Sequence, residues 1–166
     1  MKKALKILRI IGTLLLFVTL ICFVSFFVWV NIPSKAQNVA LSALHSDELV
    51  KVINTKDYIV FEPVASKPTV GFIFYPGGHV DFKAYAPILH MIASEGFLVI
   101  LVRVKLNLAF FDIDAGKPFL SKFSEINNWV TGGHSLGGVA SAWFAAKHPE
   151  ILAVVFWASY PADDKL

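Results

Sequence analysis

The residues best suited to chemistry form one short run, Gly132-Gly133-His134-Ser135-Leu136-Gly137-Gly138. Within it, Gly133, Ser135 and Gly137 make the pattern G-x-S-x-G. A serine in that pattern suits attack on an acyl carbon when it sits on a sharp strand-to-helix turn, a nucleophile elbow. The turn must hold Ser135 on a strained backbone so that its hydroxyl points out of the sheet. Side chains two residues before and after would then collide, which explains Gly133 and Gly137. Gly138 lets the following helix approach a neighbouring strand. A helix N-terminus beneath the nucleophile supplies free N–H groups and a positive dipole end. Three fixed positions match by chance in roughly one such chain in twenty at ordinary glycine and serine usage. The flanking elements therefore carry most of the weight. A phosphate-binding loop would need Lys where Gly138 stands, and no register supplies the dinucleotide pattern G-x-G-x-x-G. The plainer alternative is a glycine-rich turn with a bystander serine.

A second feature is Tyr75-Pro76-Gly77-Gly78. Acyl transfer needs two N–H donors aimed at the developing oxyanion. The backbone N–H of Leu136, directly after the serine, is one candidate. The loop after an earlier strand supplies the other, and Gly77 is favoured there with Gly78 close behind.

The elements needed to position these groups can be read from hydropathy patterning. Val50–Thr55 and Tyr58–Pro63 are β-prone runs around Lys56-Asp57, a hairpin signal. Thr69–Tyr75, Phe97–Val104 and Leu152–Ala158 are nearly continuous apolar runs, the profile of strands buried on both faces. Trp129–Gly132 is a shorter strand that leads into the elbow. Tyr85–Glu95 reads as a helix with Ile88, Leu89, Met91 and Ile92 on its apolar side, stopped by Gly96. Leu136–Lys147 reads as a helix with Val139, Ala140, Trp143 and Phe144 at core spacing, ended by His148-Pro149. Leu106–Lys117 is loop-like, and a short helix is expected within Pro118–Ile126. Strands alternating with helices predict an α/β layer fold, with a mostly parallel sheet and helices on both faces.

Taken together, these segments resemble the α/β-hydrolase superfamily, and more narrowly its fold-5, dienelactone-hydrolase-like family. The resemblance rests on F-I-F-Y-P-G-G at 72–78, Y-A-P-I-L at 85–89, G-F-L-V-I-L-V at 96–102, N-L-A-F-F at 107–111, the elbow, and F-W-A-S-Y-P-A at 156–162. It implies a serine hydrolase of esterase or lipase type that acts on a small acyl substrate without a cofactor. It also implies that Asn107 lies near the pocket, that the catalytic acid follows a seventh strand and that the histidine follows an eighth. The chain reaches Leu166 only eight residues beyond the sixth expected strand, so the domain over 50–166 is expected to be C-terminally incomplete and inactive as it stands. His148 is the only histidine after Ser135, and it belongs to the elbow helix's own C-terminal turn. Asp163 and Asp164 follow the sixth strand, where some members of the superfamily place the acid, but they cannot replace the histidine. A non-catalytic remnant or binding domain is the competing reading.

The remaining titratable residues carry weaker readings. His134 is expected to pack or hydrogen-bond locally, and His79 to line the pocket rim. His45, His90 and His148 are expected to be solvated. Asp112 and Asp114 sit in a loop without metal-ligand spacing, so no metal is expected.

The N-terminus has a separate character. Lys2, Lys3, Lys6 and Arg9 precede an uncharged run from Ile10 to Ile32. The rest of the chain carries 11 Lys and Arg against 12 Asp and Glu, so a pI near 9.0 is not a nucleic-acid signature. Residues 10–32 would make roughly 35 Å of helix, enough to cross a bilayer. The basic tip, 1–9, would stay cytoplasmic, and the domain would be delivered outside through a stalk at 33–49. Cleavage of a signal peptide after Ala36 would instead secrete it. The only cysteine, Cys22, lies within the apolar run, so no disulfide framework is possible.

Overall fold

The computed structural model describes residues 2–162. The chain divides into two compact units, Met1–Ile32 and Pro33–Leu166. The first is a single helix, α1, over Lys2–Val30. Leu, Ile, Val and Phe cover all its sides, and it is long and apolar enough to cross a membrane. At 1.5 Å per residue its 29 residues span roughly 43 Å.

The second unit is built on a six-stranded sheet. Its strands are β1 (Val50–Asn54), β2 (Tyr58–Pro63), β3 (Val70–Tyr75), β4 (Leu98–Val102), β5 (Asn128–His134) and β6 (Ile151–Trp157). The spatial order is β1-β2-β4-β3-β5-β6. β1 and β2 form an antiparallel hairpin, and β2 pairs antiparallel with β4. β4, β3, β5 and β6 run parallel. The mostly parallel α/β sheet expected from the sequence is therefore present, and strand ends differ from the expected ones by at most two residues.

Alternation along β3 divides the core. Ile73 and Tyr75 join Ile100, Ala140, Phe144 and Phe119 on one face, under α4 (Lys117–Lys122) and α5 (Leu136–Lys147). Phe72 and Phe74 join Phe61, Leu101, Ala86 and Leu89 on the other, under α3 (Ala86–Ser94). A short helix, α2 (Asn38–Ser42), lies within the lead-in segment. Helices thus cover both faces, as parallel strands require.

The expected inner faces of two helices need correction. The buried face of α3 is Ala86, Leu89 and Ala93. Ile88 and Met91 are 43% and 64% exposed, because the helix approaches the sheet through its small residues. On α5, Ala140 and Phe144 are buried as expected, but Val139 and Trp143 are only half-buried. The inner stripe there is filled by Gly137, Gly138 and Ser141. β6 is apolar throughout, and none of its residues is fully buried. It forms the sheet edge among the described residues, and only its inner side is paired, with β5.

Candidate active site

Ser135 joins β5 to α5 with φ 51° and ψ −120°, backbone values that an L-residue adopts only under constraint. Its N–H donates to the Trp157 carbonyl at 2.9 Å, so the end of β6 holds the turn. Ser159 Oγ donates to the Ser135 carbonyl at 2.7 Å. A serine before a helix ordinarily folds its hydroxyl back as a cap. Ser135 makes no such bond, and the residue is exposed.

The elbow glycines are required by close approach. A Cβ on Gly133 would overlap the backbone of Gly137, and one on Gly137 would overlap the carbonyls of Tyr75 and Pro76 at the end of β3. Gly138 faces Ser159, in the segment that follows β6. Leu136 is the first residue of α5, so its N–H has no partner within the helix.

The loop after β3 meets the elbow from the side. Gly77 N–H donates to Tyr85 Oη at 3.1 Å, and His79 N–H donates to the Asn107 carbonyl at 2.8 Å. Gly78 N–H, between them, meets no acceptor among the described residues. A Cβ on Gly78 would lie 3.2 Å from Leu136 Cδ2 and 3.8 Å from Leu136 Cβ, which sets Gly78 beside the first residue of α5. In this structure the Gly77 N–H is thus engaged by a phenol, while both glycines border the elbow.

His134 Nδ1 lies 3.0 Å from Tyr85 Oη. Tyr85 is half-buried, its ring 5.0 Å from that of Phe74 and 5.8 Å from that of His134. Burial pushes the Tyr85 hydroxyl above its ordinary pKa, while the Gly77 N–H works in the opposite direction. The phenol therefore stays protonated through the neutral range.

Left-handed backbone is concentrated at one end of the sheet. Among the described residues, the non-glycine positive-φ positions are His79, Leu106, Asn107, Ser135 and Ala158. Each lies just past the C-terminal end of β3, β4, β5 or β6. A cleft lined by Asp114, Lys117, Trp129 and His148 among others does not include Ser135. It is bordered by the start of β5 and the end of α5, away from the elbow.

Two histidines expected in solvent are held by acids. His148, its side chain 12% exposed, lies 3.5 Å from Asp114 and 4.4 Å from the Phe144 ring, centroid to centroid. His90, 14% exposed, lies 3.5 Å from Asp47. Their carboxylates arrive from distant segments, which local hydropathy does not reveal. His45 is exposed. Asp163 and Asp164 lie outside the described residues. No cluster of three His, Cys, Asp or Glu suited to a metal occurs among the described residues.

Tyr85 and Ser159 were not singled out from the sequence. A tyrosine directly before a helix start, eight residues past Gly77, was the available signal for the first. The second follows a strand end beside the elbow, but that adjacency depends on strand order.

No curated protein matches this chain. The model of the alpha/beta hydrolase family matches residues 71–166, a span that holds β3 through β6, the elbow and the Gly77-Gly78 loop. With its sheet order, its elbow and that match, the chain belongs to the alpha/beta hydrolase family.

Proposed function

We propose that this chain is a membrane-anchored serine hydrolase of the fold-5, dienelactone-hydrolase-like branch, with its domain outside the cytoplasm. In this reading residues 10–32, all but the last two in α1, cross the bilayer and the basic tip holds the N-terminus inside. The reaction is acyl transfer from a small ester-type substrate to water. Ser135 attacks, and the N–H groups of Leu136 and Gly78 hold the oxyanion. Neither cofactor nor nucleic acid takes part.

The observation that carries the reading is Ser135 itself, an exposed residue with positive φ at a helix start whose side chain does not cap α5. A bystander serine would relax to extended backbone and cap α5.

A second reading, a binding domain that retains the hydrolase fold without turnover, is favoured by the histidines. His148 lies against Asp114, and His134 Nδ1 is engaged by Tyr85. Without a base, a serine is a weak nucleophile. An oxyanion hole alone still leaves a residual acceleration over water of about 10³–10⁴.

The test is a fluorophosphonate probe applied to the whole chain in detergent or vesicles, with long incubation. Slow labelling that disappears in Ser135→Ala supports the hydrolase reading. A wild-type chain that labels no faster than free serine favours the binding domain.

A further inference from the structure

We infer that Tyr85 is a positioning residue for acyl transfer, clasping the oxyanion loop to the nucleophile elbow through His134. The inference rests on the proposed function, because it concerns the geometry of that same site.

Gly77 N–H donates into Tyr85 Oη at 3.1 Å, and Tyr85 Oη lies 3.0 Å from His134 Nδ1. A backbone N–H can only donate. The phenol oxygen therefore accepts from Gly77, and it makes its second bond with Nδ1, as donor or as acceptor according to the His134 tautomer. One hydroxyl thus joins the loop after β3 to the residue immediately before Ser135. The space is tight, since a Cβ on Gly77 would lie 2.8 Å from both Tyr85 Oη and His134 Nδ1. The ring is fixed from behind by Phe74, and burial keeps the phenol protonated.

The consequence is geometric. The two proposed oxyanion donors sit on different elements, Leu136 on α5 and Gly78 on the loop. Their spacing depends on what ties the loop to the elbow. By taking the Gly77 N–H, Tyr85 fixes the peptide orientation one residue before Gly78. Donor placement matters at the level of an ångström, where a misplacement costs up to about 10²-fold in rate.

The test follows the second-order rate of Ser135 phosphonylation by a small fluorophosphonate, using the full chain. In that step the Ser135 Oγ–P bond forms, the P–F bond breaks, fluoride leaves and the hydroxyl proton passes to solvent or buffer base. Negative charge develops on the phosphoryl oxygen, which is where the two donors act. Tyr85→Phe keeps the ring and removes the clasp. It should slow phosphonylation at least about tenfold, with an unchanged fraction labelled at the plateau. A folding defect would instead lower the plateau. His134→Asn offers an amide oxygen near the Nδ1 position and should stay within about threefold of wild type. His134→Leu should slow the reaction as Tyr85→Phe does, and the double variant should be no slower than either single one.

A wild-type rate in Tyr85→Phe, or additive losses in the double variant, overturns the clasp while leaving Ser135 as nucleophile. An unlabelled wild-type chain removes the proposed function and this inference together.

Discussion

Ser159 donates its hydroxyl to the main-chain carbonyl of Ser135 at 2.7 Å, so the residue proposed as nucleophile is gripped through its backbone by the segment that follows β6. The Ser135 N–H is held by the Trp157 carbonyl. The end of β6 thus braces the strained turn at both its N–H and its C=O. Removing the Ser159 hydroxyl should cost about 0.5–1.5 kcal/mol. Ser159→Ala should lower the thermal midpoint by a few degrees and slow fluorophosphonate labelling. A variant with wild-type melting and wild-type labelling would show that the brace is dispensable.

Glycine replacements should separate backbone clashes from side-chain ones. In Gly137→Ala the new methyl meets the Tyr75 and Pro76 carbonyls, which cannot move without breaking the end of β3. Loss of more than about 3 kcal/mol is expected, visible as an insoluble or molten chain. In Gly78→Ala the methyl meets the ends of the Leu136 and Leu108 side chains at 3.2 and 3.3 Å. Those can shift, so the stability loss should stay near 1 kcal/mol while the labelling rate falls. Denaturant titration of the two variants side by side checks the contrast.

Residues 10–32 should keep the protein in membranes through an alkaline carbonate wash. Protease added outside intact cells should digest the domain, since basic residues before a span stay cytoplasmic. A released form beginning near Gln37 would favour cleavage instead.

Asp47 accepts from the Val50 and Leu49 N–H groups at 2.8 and 2.9 Å, and these bonds hold its carboxyl below its ordinary pKa, with His90 adding in the same direction. A depressed folded pKa stabilises above the unfolded value, about 3.9, and that stabilisation is lost as pH falls through the folded value. Asp47→Asn should therefore melt below wild type at pH 7, with the two curves converging under about pH 4. A gap that persists in acid would assign the effect to packing.

The outer edge of β6 invites self-association. Leu152 and Val155 are 64% and 38% exposed, and the strand contains no charge or proline to block pairing. In detergent, the double substitution Leu152→Lys and Val155→Lys should shift the chain toward monomer in sedimentation velocity. An unchanged distribution would assign any association to another surface.

The sheet was legible because parallel strands buried on both faces leave unbroken apolar runs, as at Val70–Tyr75 and Leu98–Val102. The bounds of α5 were legible because Ser135 and His148-Pro149 punctuate them. The inner face of α3 was not. Its hydropathy is dominated by Ile88 and Met91, while contact runs through Ala86 and Ala93. The elbow could be read locally, since its glycines clash within one turn or against an adjacent strand. The Gly77–Tyr85–His134 connection could not, because it joins three segments whose adjacency comes only from β3 lying beside β5. The same holds for His148 and Asp114, which are 34 residues apart.

The left-handed residues past β3, β4, β5 and β6 divide the sheet into two ends with opposite tolerances. A left-handed L-residue costs roughly 1–2 kcal/mol, and glycine avoids most of it. His79, Leu106, Asn107 and Ala158 are thus positions where glycine could relax the backbone, whereas strand interiors offer no comparable gain. A selection for thermal stability alone should collect its mutations at this rim and erode the site there first. Loss of the site under such a selection would then be readable at those four positions.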